Sequence, residues 1–387
     1  MQKLNSAESI RALACLAVVF SHLSLSFFPN LHHFDEHVQV ATPISDWIHH
    51  SPFSFWFSGT AAVYIFFVLS GYILSFAIYR HADPVQRQNK IIHMFYKRYP
   101  RLAMPVLGSC LLTWLIFGFI QVDPQHVHPW LAEYLGQSVG FRQALYEGTI
   151  GAFLFGESSV NWVLWTMQIE LLGSLLLFAL LWIKQKQSSL FVLALMLLLP
   201  IVWLLWNETV FWGISCFLVG MCIYLYAKPL SLRWAMPMVL LGLYLAGIHD
   251  NSAAYQWLLP LGGERCYELG NIMAGILLVY SSLMNAELSR ALDRAALIKV
   301  GKWSFSIYVL HLPLMYVIAV PILNRLMAWG WGIDLALIST VLIFLLLLLL
   351  IAAIYSRYVD ALAMRLSQVL AQRLHSKTTL RADLERG

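Results

Sequence analysis

The 387-residue sequence predicts an all-α, polytopic membrane protein of about ten transmembrane helices, with both termini in the cytoplasm. Three observations predict it. Only 12% of the residues are charged against 60% hydrophobic, about half the charged share of a soluble domain. The apolar runs are continuous and close to 20 residues long, which fits bilayer-crossing helices and excludes the alternating pattern of a β-barrel. The 25 Lys and Arg are also divided very unevenly between alternate connections.

The runs fall at about 9–28, 54–79, 103–122, 161–183, 189–206, 209–226, 232–248, 268–284, 303–323 and 333–355. With the N-terminus inside, the inner segments hold Lys3, Arg11, six basic residues from Arg80 to Arg101, Lys184, Lys186, Lys228, Arg233, four from Arg290 to Lys302 and six from Arg357 onward. The outer segments hold Arg142, Arg265 and Arg325. That bias sets the orientation and requires an even number of crossings. Fifteen Trp and seventeen Tyr suit interfacial aromatic belts. The first run contains Arg11 and His22 and lacks a small-x-small cleavage site, so it is expected to be retained. Five Cys (15, 110, 216, 222 and 266) have neither paired nor metal-type spacing and read as packing residues.

Among the connections, residues 29–53 carry five His (32, 33, 37, 49 and 50) and no Lys or Arg. Neither they nor His126 and His128 have the carboxylate-and-His spacing of a formed metal site, and no metal is expected. Residues 123–160 are long for a loop and include an amphipathic piece, Trp130–Phe155, suited to lying on or dipping into the membrane. Two regions follow: a transmembrane domain over 1–356 and a basic, amphipathic tail over 357–387. In the tail Val359, Leu362, Leu366, Val369 and Leu370 alternate with Arg365 and Arg373 as in an interfacial helix.

Four groups carry chemistry. Arg11 and His22 are eleven residues apart on the first helix, close to three turns, so they share a face at roughly 16 Å separation. An ionisable group at mid-depth is costly and points to function. Arg98 and Arg101, in KRYPRLAMP, stand at i, i+3 where the third span meets the cytoplasm, with Pro100 suited to a first helical turn. Two adjacent guanidiniums make a fork for phosphate or carboxylate, or serve as a positive-inside anchor. Glu170, about nine residues into the fourth span, is expected at the depth of His22, where a carboxylate would orient an imidazole base. It could equally serve packing. His311 lies on one face with Ser304 and Tyr308 in the ninth span, a stripe that serves either interhelical hydrogen bonding or catalysis. Ser70 and Gly71 in the second span suggest a close helix approach.

Taken in order, these stretches resemble the acyltransferase-3 family of bacterial inner-membrane acyltransferases. The Arg-x10-His pattern is Arg11 and His22, and FFVLSGY is Phe66–Tyr72. Arg-x-x-Arg is Arg98 and Arg101. Trp-Ser-Leu-x-x-Glu corresponds to Trp165, Thr166, Met167 and Glu170. The Gly-Lys-x-Ser-Tyr-x-x-Tyr-x-x-His stretch is Gly301, Lys302, Ser304, Phe305, Tyr308 and His311. Thr166, Met167 and Phe305 are mild departures. The family's Glu-x-Pro after the last span is absent, and Asp360 stands in that region.

The resemblance implies an inner-membrane O-acyltransferase, most often an O-acetyltransferase. It would move an acyl group from cytoplasmic acetyl-CoA or another acyl-CoA to a hydroxyl of a lipopolysaccharide, exopolysaccharide or lipid-linked glycan. His22, Glu170 and His311 would be catalytic, and Arg11, Arg98 and Arg101 would hold the donor. Ser70, Gly71, Trp165, Ser304 and Tyr308 would support them. The competing class is a proton-coupled transporter or flippase, which would use the intramembrane charges but has no need of the Arg fork. A same-fold enzyme with succinyl or longer donors, or with a non-glycan acceptor, is the third reading.

Overall fold

The computed structural model describes residues 2–32, 43–249 and 252–384. His33 and His37 of the outer His-rich segment lie outside the described residues. The protein is 84% helical, with no strand among the described residues. Its principal helices are α1 (Gln2–Phe27), α2 (Gly59–Tyr79), α3 (Pro84–Phe119), α4 (Thr166–Lys186), α5 (Ser188–Leu205), α6 (Glu208–Tyr226), α7 (Leu232–Ala246), α8 (Cys266–Met284), α9 (Ala295–Leu314) and α10 (Ile333–Tyr355). Among the described residues nine helices are long and apolar enough to cross a membrane.

The exception is α7, whose 15 residues reach only about 22 Å, short of a bilayer core of about 30 Å. Two pieces close its outer end. A Cβ on Gly247 would stand 3.1 Å from Pro52 O, where the 3₁₀ turn Pro52–Phe57 packs. Tyr255 also donates to Tyr244 O at 2.7 Å. The two runs expected at 54–79 and 232–248 are therefore each part helix and part packed turn.

The chain divides into two compact units. The first comprises residues 1–66, 112–140 and 228–353. At its centre α1 and α9 run side by side in the same direction. Cys15 Sγ donates to Ser304 O (3.3 Å), His22 meets His311, and Ser26 Oγ donates to Met315 Sδ (3.4 Å), at a constant sequence offset of 289. Steps of seven and four residues keep one seam together on each helix. Gly301 allows the closest approach: a Cβ there would lie 2.0 Å from Glu8 O. Parallel first and ninth helices require α7 to count as a crossing.

The second unit comprises residues 67–111, 141–227 and 354–387. Gly71 and Gly220 let α2 and α6 cross at backbone contact. A Cβ on Gly71 would sit 2.0 Å from Phe217 O, and one on Gly220 2.0 Å from Val68 O. Three expectations are corrected in this unit. The helix that carries the third span does not begin at 103: α3 is one 36-residue helix from Pro84, and Pro100 is interior to it rather than in its first turn. The amphipathic Trp130–Phe155 piece is not one helix. It breaks into Pro129–Leu135, Phe141–Tyr146, a π turn Glu147–Gly151 and Ala152–Leu154. The tail does not start a separate interfacial helix, because α10 runs through a π turn, Ser356–Asp360, straight into Ala361–Leu384.

The pieces from Phe141 to Leu154 fold against α3. Tyr99 donates to Thr149 O at 2.7 Å and its ring meets Phe153 at 5.4 Å. A Cβ on Gly148 would lie 2.9 Å from Leu107 Cα. Tyr99 is 20 residues before the end of α3, about 30 Å along it, so this segment packs well back from that helix end. Buried Glu147 closes the return: it accepts from Ser159 Oγ and, at 2.9 Å, from Val160 N. Its exposed face, Phe141, Leu145, Ile150 and Leu154, is apolar as lipid contact requires.

Candidate active site

Two clusters of functional side chains form, one in each unit. The first is built on α1 and α9. Heptad-like register brings His22 Nδ1 within 2.8 Å of His311 Nε2. His311 Nδ1 lies 2.7 Å from Tyr308 O, one turn back on its own helix. A carbonyl can only accept, so Nδ1 of His311 carries a proton and, in the neutral ring, Nε2 accepts. His22 Nδ1 must then donate, and His22 Nε2 is left with a lone pair. His311 is fully buried, whereas His22 is partly exposed. The network thus leaves one basic nitrogen on a ring held by its other nitrogen.

The surroundings fix that ring further. Trp130 stacks on it with centroids 5.4 Å apart and planes 2° from parallel. Tyr308 approaches His311 at 6.1 Å and Phe66 at 6.2 Å, so its ring backs the pair. Ser304 contributes its carbonyl, which takes the Cys15 thiol. The helix loosens into a π turn, Met315–Ala319, right after the His311 turn, where Pro313 lacks an N–H. Arg11 stands eleven residues before His22 and pairs with Glu8 at 3.0 Å.

The second cluster corrects the expected place of Glu170. Its carboxylate accepts from Ser70 Oγ at 2.9 Å on one oxygen and from Arg98 Nη2 on the other. The group hydrogen-bonded to His22 is His311, not Glu170. The fourth helix begins at Thr166, right after half-buried Trp165, and Arg98 Nε reaches Ser174 Oγ at 2.9 Å.

Arg98 and Arg101 do share one face of α3, but each already holds a carboxylate. Arg101 is bidentate on Asp360, which is 4% exposed and is presented by the π turn at the end of α10. The fork is therefore a paired network of two cations and two anions rather than a bare cationic site.

A family model described as an acyltransferase domain matches residues 4–357, nearly the whole chain. The chain belongs to the acyltransferase-3 family. It is a membrane-embedded acyltransferase, an enzyme that takes a donor and an acceptor of an acyl group. Comparison with characterised proteins and with solved structures gave no match.

The family's motifs acquire distinct structural work here. Arg-x10-His and the Gly-Lys-x-Ser stretch lie on one helix pair, with Gly301 setting the approach that brings His311 to His22. Phe66–Tyr72, Arg-x-x-Arg and the Trp165–Glu170 stretch supply Gly71, Ser70, Arg98 and Glu170 to the second cluster. Sequence reasoning passed over Ser174, Gly220 and the stacking of Trp130, and noted Asp360 without giving it a role. Ser174 had a signal, since it lies one turn beyond Glu170 on an otherwise apolar helix.

Proposed function

We propose that the protein is an O-acyltransferase, most often transferring acetyl, from cytoplasmic acyl-CoA to a hydroxyl of a surface or lipid-linked glycan at the bacterial inner membrane. The observation that carries this reading is the His22–His311–Tyr308 O chain, which leaves a lone pair on His22 Nε2. In the reaction, Nε2 takes the proton of the acceptor hydroxyl as its oxygen attacks the thioester carbonyl. The tetrahedral intermediate collapses, the C–S bond breaks, and the imidazolium returns the proton to the CoA thiolate. His311 holds the base in its tautomer, the task a carboxylate performs in other sites.

Arg11 lies roughly 16 Å before His22 on α1, about the length of a pantetheine arm. Its role is to hold the charged nucleotide at the inner surface while the thioester reaches the base. Arg98 and Arg101, which the family resemblance implies as donor ligands, would have to exchange their carboxylate partners for phosphate in this reading. The experiment is CoA release by the purified protein in nanodiscs, with acetyl-CoA and with longer acyl-CoAs, with and without a glycan acceptor. Acceptor-dependent release supports the reading. Absence of release with every donor, together with proton-coupled solute uptake in proteoliposomes, would replace it with a transporter.

A further inference from the structure

We propose that Trp130 is a positioning residue for this reaction, its indole face stabilising the imidazolium that His22 becomes on taking the acceptor proton. The inference rests on His22 being the base.

The geometry is specific. The indole and imidazole planes are within 2° of parallel at 5.4 Å between centroids. Trp130 is held there by main chain. His128 N donates to Ser26 O at 3.0 Å, and Ser26 Oγ donates to His22 O at 2.6 Å, so the turn bearing Trp130 is tied to the helix turn bearing His22. The His128 side chain caps Pro129–Leu135 by accepting from Trp130 N at 3.3 Å. Leu131 and Tyr134 of that helix are fully buried, Tyr134 against Phe117 at 5.2 Å.

The electrostatics say why an indole matters. Titratable groups on the elements around His22 are His311 and Tyr308 on α9, His32 beyond α1, and His128 and Glu133 beside Trp130. Of these, His311 is the one hydrogen-bonded to His22. Arg11 and its partner Glu8 lie about three turns away on α1. The base therefore gains a positive charge with no carboxylate hydrogen-bonded or ion-paired to it among the described residues. A π face is the remaining negative pole, and it attracts the imidazolium more strongly than the neutral ring. That difference raises the basicity of His22 in the step that needs it.

The test is the pH–rate profile of Trp130→Phe and Trp130→Leu beside His22→Ala, all in nanodiscs. Leu keeps water off the ring but removes the π face. Expected for Trp130→Leu are a kcat fall of about tenfold, little change in donor KM, and an acid limb of kcat/KM moved down by about 0.5 to 1 pH unit. Trp130→Phe should lie between. If the Leu variant does not fold, the Phe variant decides by the same limb. An acid limb that stays in place while His22→Ala is inactive overturns the inference alone. An active His22→Ala overturns the base itself, and this inference with it.

Discussion

His22 Nδ1 lies 2.8 Å from His311 Nε2, across two helices running parallel in constant register. Because His311 is fully buried and committed to Tyr308 O, it can orient His22 but is not placed to meet substrate. His311→Ala should lower kcat by about 10² while leaving donor KM near wild type, since the base keeps its position in sequence but loses its tautomer. His311→Gln, which offers an amide oxygen as acceptor, should recover part of that loss. Equal loss in both variants would show that bulk rather than acceptance is what matters.

Gly71→Ala should destabilise the protein by about 1 to 3 kcal/mol, because the new methyl meets the Phe217 carbonyl, which cannot rotate away. Gly220→Ala should do the same from the opposite helix. The double variant should cost less than the sum, because both separate the same pair. Gly118→Ala, with nothing within 4 Å of the added carbon, is the control and should not lower the melting temperature.

Arg101→Ala strands the buried Asp360 carboxylate and should cost about 3 to 5 kcal/mol, read as a lower melting temperature. Removing both, Arg101→Ala with Asp360→Ala, should restore most of that stability. Donor affinity should separate from it: the double variant should bind acyl-CoA as weakly as Arg101→Ala, by calorimetry. Full donor affinity in the double variant would make the pair purely structural.

Outside the membrane, burial lowers His32 to about 3, helped by the neighbouring His249, His49 and His128, and lowers His249 to about 4, helped by His49. Both are neutral at pH 7. The unfolded chain takes protons below about pH 6.5 that the folded segment refuses, so stability is present above 6.5 and is lost progressively as pH falls toward 4 and then 3. The melting temperature should drop across that window, and His32→Gln with His249→Gln should flatten it. A wild-type profile flat from pH 7 to 4 would contradict the burial of these rings.

What the sequence made legible follows physical signal strength. Arg11, His22, His311 and the crossings stand out because a charge or a continuous apolar run is conspicuous in a bilayer, and Ser70–Gly71 marked a close approach that the structure contains. The partners of Glu170 were not legible, because Ser70 and Arg98 stand on other helices and residue spacing within one helix does not say which neighbours meet. Asp360 was noted but given no role, because its meaning depends on a π turn that brings it to Arg101, and such a turn leaves no signature in residue spacing. Trp130 resembles any interfacial aromatic in sequence, because the tie that places it, from His128 N to Ser26 O, is a main-chain bond.

The most direct measurement of the central claim is acceptor-dependent CoA release by His22→Ala beside wild type, with folding checked by melting temperature and donor binding by calorimetry. The account predicts a folded protein that binds acyl-CoA normally and turns over about 10² to 10⁴ more slowly. Turnover near wild type in that well-folded variant would contradict it, and would pass the role of base to another group.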